Sequence, residues 1–153
     1  MNFTKSMNYF NRINITTTTF MISLFMFLSC SFNQTFTNEE TLKVQADKVL
    51  DQYYECRKEN TLDQNKQLFS NKFFTVMTPE KFIQFIEKMN NENGEYLGRE
   101  MVSWQSNRVK GSNPVTEVLL RYNVNYTNGT VGEQFYFVEE NDKLKIQKVN
   151  IDL

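Results

Sequence analysis

The chain contains no histidine, and this absence removes several familiar kinds of active site. Ser-His-Asp and Cys-His catalytic groups need an imidazole to take up and release a proton, and many zinc sites need one as a ligand. Only five glycines are present, and they form neither a Walker phosphate loop nor a dinucleotide-binding fingerprint. Any acid–base chemistry would therefore fall to carboxylates, lysines or tyrosines. We expect no metal site and no cofactor.

An excess of charge of one sign is also lacking. The chain carries 17 Lys and Arg residues and 18 Asp and Glu residues, with a net charge of −1. Proteins that bind nucleic acid usually present a basic patch or stripe, whereas the basic residues here are scattered singly. We therefore expect no nucleic-acid partner.

Cysteine is scarce, with Cys30 and Cys56 as its two occurrences. Cys56 falls near the end of an amphipathic helix pattern, with no histidine to lower the pKa of its thiol. It is therefore predicted to be an inert, buried small side chain. An intermolecular disulfide is the alternative.

The N-terminal segment has the pattern of an export signal. Lys5 and Arg12 are followed by no charged residue until Glu39, and Phe20–Leu28 is almost wholly apolar. This run is far shorter than the roughly 20 apolar residues of a membrane-spanning helix, and the small residue Ser29 follows it. The sequence thus predicts a signal peptide over residues 1–30, a tether over 31–38 and one domain over 39–153.

The end of this segment resembles the lipobox of bacterial lipoproteins, in which a lipidated cysteine follows a small residue. Phe27-Leu28-Ser29-Cys30 matches that pattern at its last two positions and is similar to the looser form of Bacteroidetes-type lipoproteins. The resemblance implies acylation of Cys30 and anchoring in the cell envelope, at the outer membrane on its periplasmic side. Cleavage of an ordinary signal and plain secretion, with Cys30 incidental, is the alternative.

Helix patterns occupy the first half of the predicted domain. Thr37 and Glu40 match a capping box, and apolar residues recur at helical spacing over residues 39–57. A second, short helix is expected around residues 61–70, and Phe73-Phe74 and Val76 then lead on to a third.

The third helix has clear start and stop signals. Thr78-Pro79-Glu80 supplies an N-cap, a proline at the first helical position and an acid at the positive end of the helix dipole. Asn90–Asn93 followed by Gly94 predicts its end.

From Glu95 the apolar period changes from that of a helix to that of a strand. Asn128-Gly129 is a strong hairpin signal, and a β-bulge near Gln147–Lys148 is needed to keep the last strand's apolar residues on one face. The predicted strands are Tyr96–Lys110, 116–126, Thr130–Glu139 and Lys143–Asp152.

Helices followed by an antiparallel meander predict an α+β domain, with two to three N-terminal helices packed on a curved, four-stranded sheet. This order resembles the nuclear-transport-factor-2-like, or cystatin-like, cone over residues 39–153. The residues that carry the resemblance are the first helix through Tyr53-Tyr54, the Gly94…Trp104 stretch, Tyr122–Tyr126, Glu133–Phe137 and Leu144-Lys-Ile146.

The resemblance implies that any pocket lies in the mouth of the cone, where enzymes of this fold place an Asp, a His or a Tyr. Glu117 and Arg121 lie four apart on a strand and hence on one face, either as a ligand-gripping pair or as a solvated surface pair. Aromatic residues either line the pocket or fill the core. The candidate ligand-binding residues are Tyr53, Tyr54, Trp104, Glu117, Arg121, Tyr122 and Tyr136.

Three functions follow from these expectations. The first is a non-catalytic, lipid-anchored envelope protein whose domain binds a protein partner or a small ligand. The second is a lyase- or isomerase-like enzyme that uses a carboxylate and a tyrosine in the cone. The third is a secreted structural domain that forms homodimers through its sheet. We expect the first, because the catalytic constellations that need histidine are missing.

Overall fold

A five-stranded antiparallel sheet and three helices make up the described part of the chain, residues 33–59, 61 and 66–152 of a computed structural model. The strands lie in chain order across the sheet, each hydrogen-bonded to the next. They are β1 (Gln34–Thr37), β2 (Tyr96–Lys110), β3 (Val115–Tyr126), β4 (Gly129–Glu140) and β5 (Lys143–Asp152). The helices are α1 (Glu40–Lys58), α2 (Asn71–Val76) and α3 (Pro79–Asn93).

The predicted α+β class is confirmed, but the predicted number of strands is wrong. Residues Gln34–Thr37, expected within a tether, form β1 and pair antiparallel with Asn107–Lys110 of β2. The sheet therefore begins before residue 39 and has five strands rather than four. Cys30 and the signal segment lie outside the described residues.

The start of α1 differs from the predicted capping box. Thr37 is the last residue of β1, and Glu39 takes the N-cap position without a side-chain cap. Its backbone N–H instead donates to Ser106 Oγ at 2.9 Å, and Arg108 Nη1 lies 3.3 Å from its carboxylate. The helix therefore begins against the sheet that it covers. As predicted, one stripe of it is buried: Leu42, Ala46, Leu50, Tyr53 and Tyr54.

The region predicted as a helix over 61–70 is built differently where the structure describes it. Lys66–Leu68 form a single 3₁₀ turn, and Phe69 makes a parallel bridge with Ile146. The hydroxyl of Ser70 accepts a hydrogen bond from Phe73 N and caps α2, which contains the Phe73-Phe74 pair.

Helix α3 follows its predicted signals. Thr78 Oγ1 accepts a hydrogen bond from Lys81 N, and Pro79 is the first helical residue. Gly94 ends the helix at φ 79°, a left-handed conformation that glycine adopts readily. Its buried residues are Phe82, Ile86 and Met89.

The predicted β-bulge in β5 is confirmed. Tyr136 pairs with Lys148 and Phe137 pairs with Ile146, so Gln147 is the extra residue. Strand β2 has similar shifts at Leu97 and at Val102. Bulges bend the strand and increase its twist.

The helices pack against one face of the sheet and form the core there. Val118, Leu120, Tyr122, Phe135 and Phe137 alternate toward the helices, as the period of two predicted. Burial of each such side chain contributes roughly 1.5–3 kcal/mol. Among the residues that the structure describes, no helix is long and apolar enough to cross a membrane.

Candidate functional site

Three of the seven candidate residues lie together on the sheet face that points away from the helices. Glu117, Arg121 and Tyr136 occupy positions of the same parity as Leu119 in the ladder of β2, β3 and β4. Glu117 and Arg121 thus share a face as predicted. No ion pair joins them within the described residues, and Arg121 Nη1 donates instead to Ser103 Oγ at 3.3 Å.

A groove of about 530 Å³ crosses this face, and we call it the outer-face groove. Its floor is Leu119, which is only 6 % exposed although it lies outside the main core. The cross-strand neighbours of Leu119 are Gln105 on one side and Tyr136 on the other. The side chains that line it include Gln105, Asn107, Glu117, Leu119, Tyr136 and Gln147.

The ring of Tyr136 is half-buried in this groove and carries a cation above it. Lys148 Nζ lies 5.4 Å from the ring centroid. The Tyr136 hydroxyl donates to Gln134 Oε1 at 3.5 Å. The bulge at Gln147 sits opposite Tyr136 and helps to shape the groove.

The other four candidates lie on the helix-facing side of the sheet. Tyr53, Tyr54 and Tyr122 are buried in the core, and Trp104 is partly buried against it. Lys43 Nζ lies 5.7 Å from the Trp104 ring. These aromatic side chains fill the space between helices and sheet. Of the two predicted alternatives, lining a pocket or filling the core, they follow the second.

A buried polar network, which sequence reasoning missed, lies among these aromatic residues. The Glu133 carboxylate is 0 % exposed and Arg57 is 4 % exposed. Tyr54 donates to Glu133 Oε2 at 2.8 Å, and Tyr126 donates to Glu133 Oε1. Arg57 Nη1 donates to the Tyr126 hydroxyl at 2.8 Å and lies 3.8 Å from Glu133 Oε1.

Helix α3 completes this network. Asn90 Oδ1 accepts a hydrogen bond of 2.8 Å from Arg57 Nη2. The guanidinium carbon of Arg57 also lies 5.3 Å from the Tyr126 ring centroid and 5.8 Å from that of Tyr53. The network therefore links α1, α3, β3 and β4 through charged and aromatic contacts.

Burial sets the proton affinity of the network's phenols. Loss of water raises the pKa of the Tyr54 hydroxyl well above its ordinary value, and the charge of Glu133 raises it further. Burial likewise raises the pKa of Tyr126, again with help from Glu133 and against the opposing charge of Arg57. Both tyrosines are therefore neutral donors at physiological pH.

The sequence does hold a signal for this network. Glu133 has the same strand parity as Val131, Phe135 and Phe137, all of which face the core. Arg57 follows Tyr53 and Tyr54 at helical spacing on the buried stripe of α1. A charge on an otherwise apolar face predicts a buried, paired group.

A second polar cluster lies at the side of α1 toward β2. Arg99 Nη2 contacts Asp51 Oδ1 at 2.7 Å and Asp47 Oδ1 at 3.2 Å. The Tyr122 hydroxyl donates to Asp47, and the Arg99 guanidinium carbon lies 5.1 Å from the Tyr122 ring centroid. This cluster fixes α1 to the sheet.

A smaller cavity of about 330 Å³ opens beside Arg57. Asn90, Gly94 and Tyr96 form part of its wall. The Tyr96 ring stacks on Tyr54, the tyrosine that donates to Glu133, with 4.3 Å between the ring centroids.

No protein-family model, curated protein or solved structure matches this chain.

Two kinds of chemistry can be compared within the described part. The interior network holds its carboxylate between two tyrosines and an arginine, so both carboxylate oxygens already accept hydrogen bonds from protein groups. The outer-face groove presents amides, a carboxylate and a phenol ring to solvent. Among the described residues, no group of three or more Cys, Asp or Glu side chains is arranged to hold a metal ion.

Proposed function

We propose that this chain is a lipid-anchored protein of the cell envelope whose folded domain binds a ligand or a partner and catalyses no reaction. Its attachment would come from acylation of Cys30, and its binding site would be the outer-face groove. The order of α1, α2 and α3 before a meander of β2–β5 supports a nuclear-transport-factor-2-like domain as the carrier of that site.

One observation carries the binding function. The outer-face groove is open and has a buried apolar floor at Leu119, with Glu117 and Tyr136 beside it. Ligand sites are usually concave, with apolar surface and a few placed polar groups. The groove has this composition, and it lies on the face that the helices leave uncovered.

An enzyme that uses a carboxylate and a tyrosine is the second candidate, and Glu133 with Tyr54 and Tyr126 is the arrangement that would favour it. A general base must come within hydrogen-bonding reach of a substrate proton. Glu133 is 0 % exposed and both of its oxygens accept bonds from protein hydroxyls. This packing favours a structural role for the network.

The anchor is tested by mass spectrometry of the mature N-terminus from native membranes. We expect an N-terminal Cys30 that carries acyl chains, and we expect the Cys30→Ser chain to leave the membrane fraction. Each buried CH₂ of an acyl chain contributes about 0.8 kcal/mol, so salt alone should not release the native protein. An unmodified N-terminus beyond Cys30 would contradict the anchor.

The binding site is tested by photo-crosslinking in native envelopes. A photoreactive residue at Asn107, within the groove, should give a discrete adduct. The matched control carries the same residue at Gln84, an exposed position on α3. Equal labelling from the two positions, or none from Asn107, would rule out the groove as the site.

A further inference from the structure

We propose that the outer-face groove binds a neutral oligosaccharide, an inference that rests on the proposed binding function and names its ligand class. Three properties of the groove support this ligand class: free amide side chains, an apolar floor beside an aromatic ring, and very little formal charge.

Amide side chains dominate the polar lining. The side chains of Gln105, Asn107 and Gln147 make no hydrogen bond to other groups in the described part of the chain, and Gln147 is held in place by the bulge. An amide offers an acceptor oxygen and two donor hydrogens in one planar group. Sugar hydroxyls also donate and accept hydrogen bonds, so each amide can pair with a hydroxyl either as donor or as acceptor.

The centre of the groove suits the C–H face of a sugar ring. Leu119, which is 6 % exposed, forms the apolar floor, and the half-buried ring of Tyr136 is its cross-strand neighbour on β4. A tyrosine combines an apolar ring with a polar hydroxyl. Lys148 Nζ lies over that ring at 5.4 Å, and because this side chain is exposed it can swing into solvent when a ligand stacks there.

The charge of the groove argues against ionic ligands. Glu117 is the one formally charged residue that lines it, among residues that the structure describes. A phosphate or carboxylate ligand would meet this negative charge, and the Lys148 ammonium beside the groove is already placed over the Tyr136 ring. The Glu117 carboxylate can instead accept hydrogen bonds from a pair of neighbouring hydroxyls.

The proposal is tested by calorimetric titration of the full chain in a detergent without a sugar head group. Two neutral trisaccharides serve as probes, triacetylchitotriose with its acetamido groups and cellotriose without them. We expect saturable binding of at least one. Tyr136→Ala and Gln105→Ala should each weaken it about tenfold, the equivalent of one lost contact of about 1.4 kcal/mol.

Two further variants make the result specific to the groove. Asn123→Ala, an exposed residue on the outer face of β3 beyond the groove, should bind as the native chain does. Lys148→Ala should bind equally well or more tightly, because it uncovers the Tyr136 ring. Thermal unfolding of every variant establishes that it is folded.

The outcomes separate the ligand from the function. If neither trisaccharide binds at millimolar concentration, or if Tyr136→Ala binds as the native chain does, the oligosaccharide proposal is overturned. A crosslink from Asn107 in native envelopes that persists in that case would keep the proposed function and assign the groove to another ligand. If neither trisaccharide binding nor the Asn107 crosslink is observed, both the oligosaccharide proposal and the proposed binding function are overturned.

Discussion

At the residue scale, the buried pair of Glu133 and Arg57 leads us to expect that a single substitution, Glu133→Gln, strongly lowers the free energy of unfolding. Glu133→Gln keeps the shape of the side chain but leaves Arg57 charged and buried without its counter-ion. Breaking a buried ion pair by neutralising one partner costs about 3–5 kcal/mol. We expect a loss of this size in the free energy of unfolding from urea denaturation.

The double variant and a surface pair serve as controls. Arg57→Met together with Glu133→Gln removes both charges and should recover part of the loss. Lys88→Met disrupts the exposed pair with Glu92, 3.7 Å apart on α3, and should cost no more than about 0.5 kcal/mol. A Glu133→Gln loss no larger than that of Lys88→Met would contradict the closed network.

The buried phenols predict a loss of stability at high pH. Burial raises the pKa of Tyr54 and of Tyr126 in the folded state, whereas the pKa of a tyrosine in the unfolded chain is about 10. Above that pH the unfolded chain loses protons that the folded chain retains, so the free energy of unfolding falls as pH rises. Below it, these tyrosines contribute no pH dependence.

Urea denaturation between pH 8 and pH 11 measures this slope. Tyr54→Phe removes one of the buried phenols and should flatten the decline above pH 10, although it also removes the hydrogen bond to Glu133. Asn123→Ala, on the outer face, removes no titratable group, so it is the control and should leave the slope unchanged. Identical slopes for all three chains would show that the buried phenols do not set it.

The sequence pattern predicted which candidate residues share a face, but not which of them are buried. Glu117, Arg121 and Tyr136 share the outer face because strand parity is a local property that the alternating pattern reveals. Whether an aromatic residue lines a pocket or fills the core depends on packing between elements far apart in sequence. The sequence therefore left both roles open for Tyr53 and Tyr54, with the core as the commoner role of such residues.

At the scale of elements, the end of α3 predicts a specific requirement for glycine. Gly94 has φ 79°, and an added Cβ would lie 1.9 Å from Thr127 Oγ1. That oxygen accepts a hydrogen bond from Glu95 N and cannot move away without loss. Gly94→Ala should therefore lower the free energy of unfolding by about 2 kcal/mol or more.

Gly132→Ala is the control for this substitution. Its nearest neighbours are atoms of the exposed Asp152 side chain, at 3.2 Å and beyond, which can rotate into solvent. We expect a change within about 0.5 kcal/mol. Equal urea midpoints for the two alanine variants would show that the helix end tolerates a side chain.

The elements that were predicted correctly are those whose boundaries or irregularities are marked by residues within the element itself. Thr78-Pro79 and Gly94 bound α3, and the parity change between Ile146 and Val149 revealed the bulge. Strand β1 has no such signal, because its four residues become a strand only through pairing with β2 some 70 positions later. The same dependence on a distant partner explains Phe69, whose bridge to Ile146 replaces the predicted helix.

At the scale of the whole molecule, the sheet divides the chemistry of the chain between its two faces. The helix-facing side holds the core and the Arg57–Glu133 network, and the other side holds the outer-face groove. A packed core beneath the groove holds the side chains that line the groove in fixed positions. The interior carboxylate is enclosed by protein groups, which is why the proposed binding role is placed on the outer face.

The contacts of β1 lead us to expect that a chain without this strand is less stable. Besides its pairing with Asn107–Lys110, the adjoining Asn38 N–H donates to Ser106 O at 3.0 Å. Each net backbone hydrogen bond contributes about 0.5–1.5 kcal/mol. A chain that begins at Glu39 should thus be less stable than one that begins at Asn33 by about 2 kcal/mol or more in urea. Neither carries Cys30, so lipidation does not differ between them.

Removal of β1 should also change the oligomeric state, because it lengthens the free edge of β2. Unpaired strand edges favour pairing between chains, and Leu97 and Val102 already expose apolar side chains on β2. Sedimentation equilibrium should therefore show the chain from Asn33 as a monomer and the chain from Glu39 self-associating. Val102→Lys in the shorter chain should restore the monomer, since charge on an edge opposes pairing. If the two chains have the same urea midpoint and the same association state, β1 is dispensable to the sheet. Residues 31–38 would then behave in solution as the predicted tether and not as a strand.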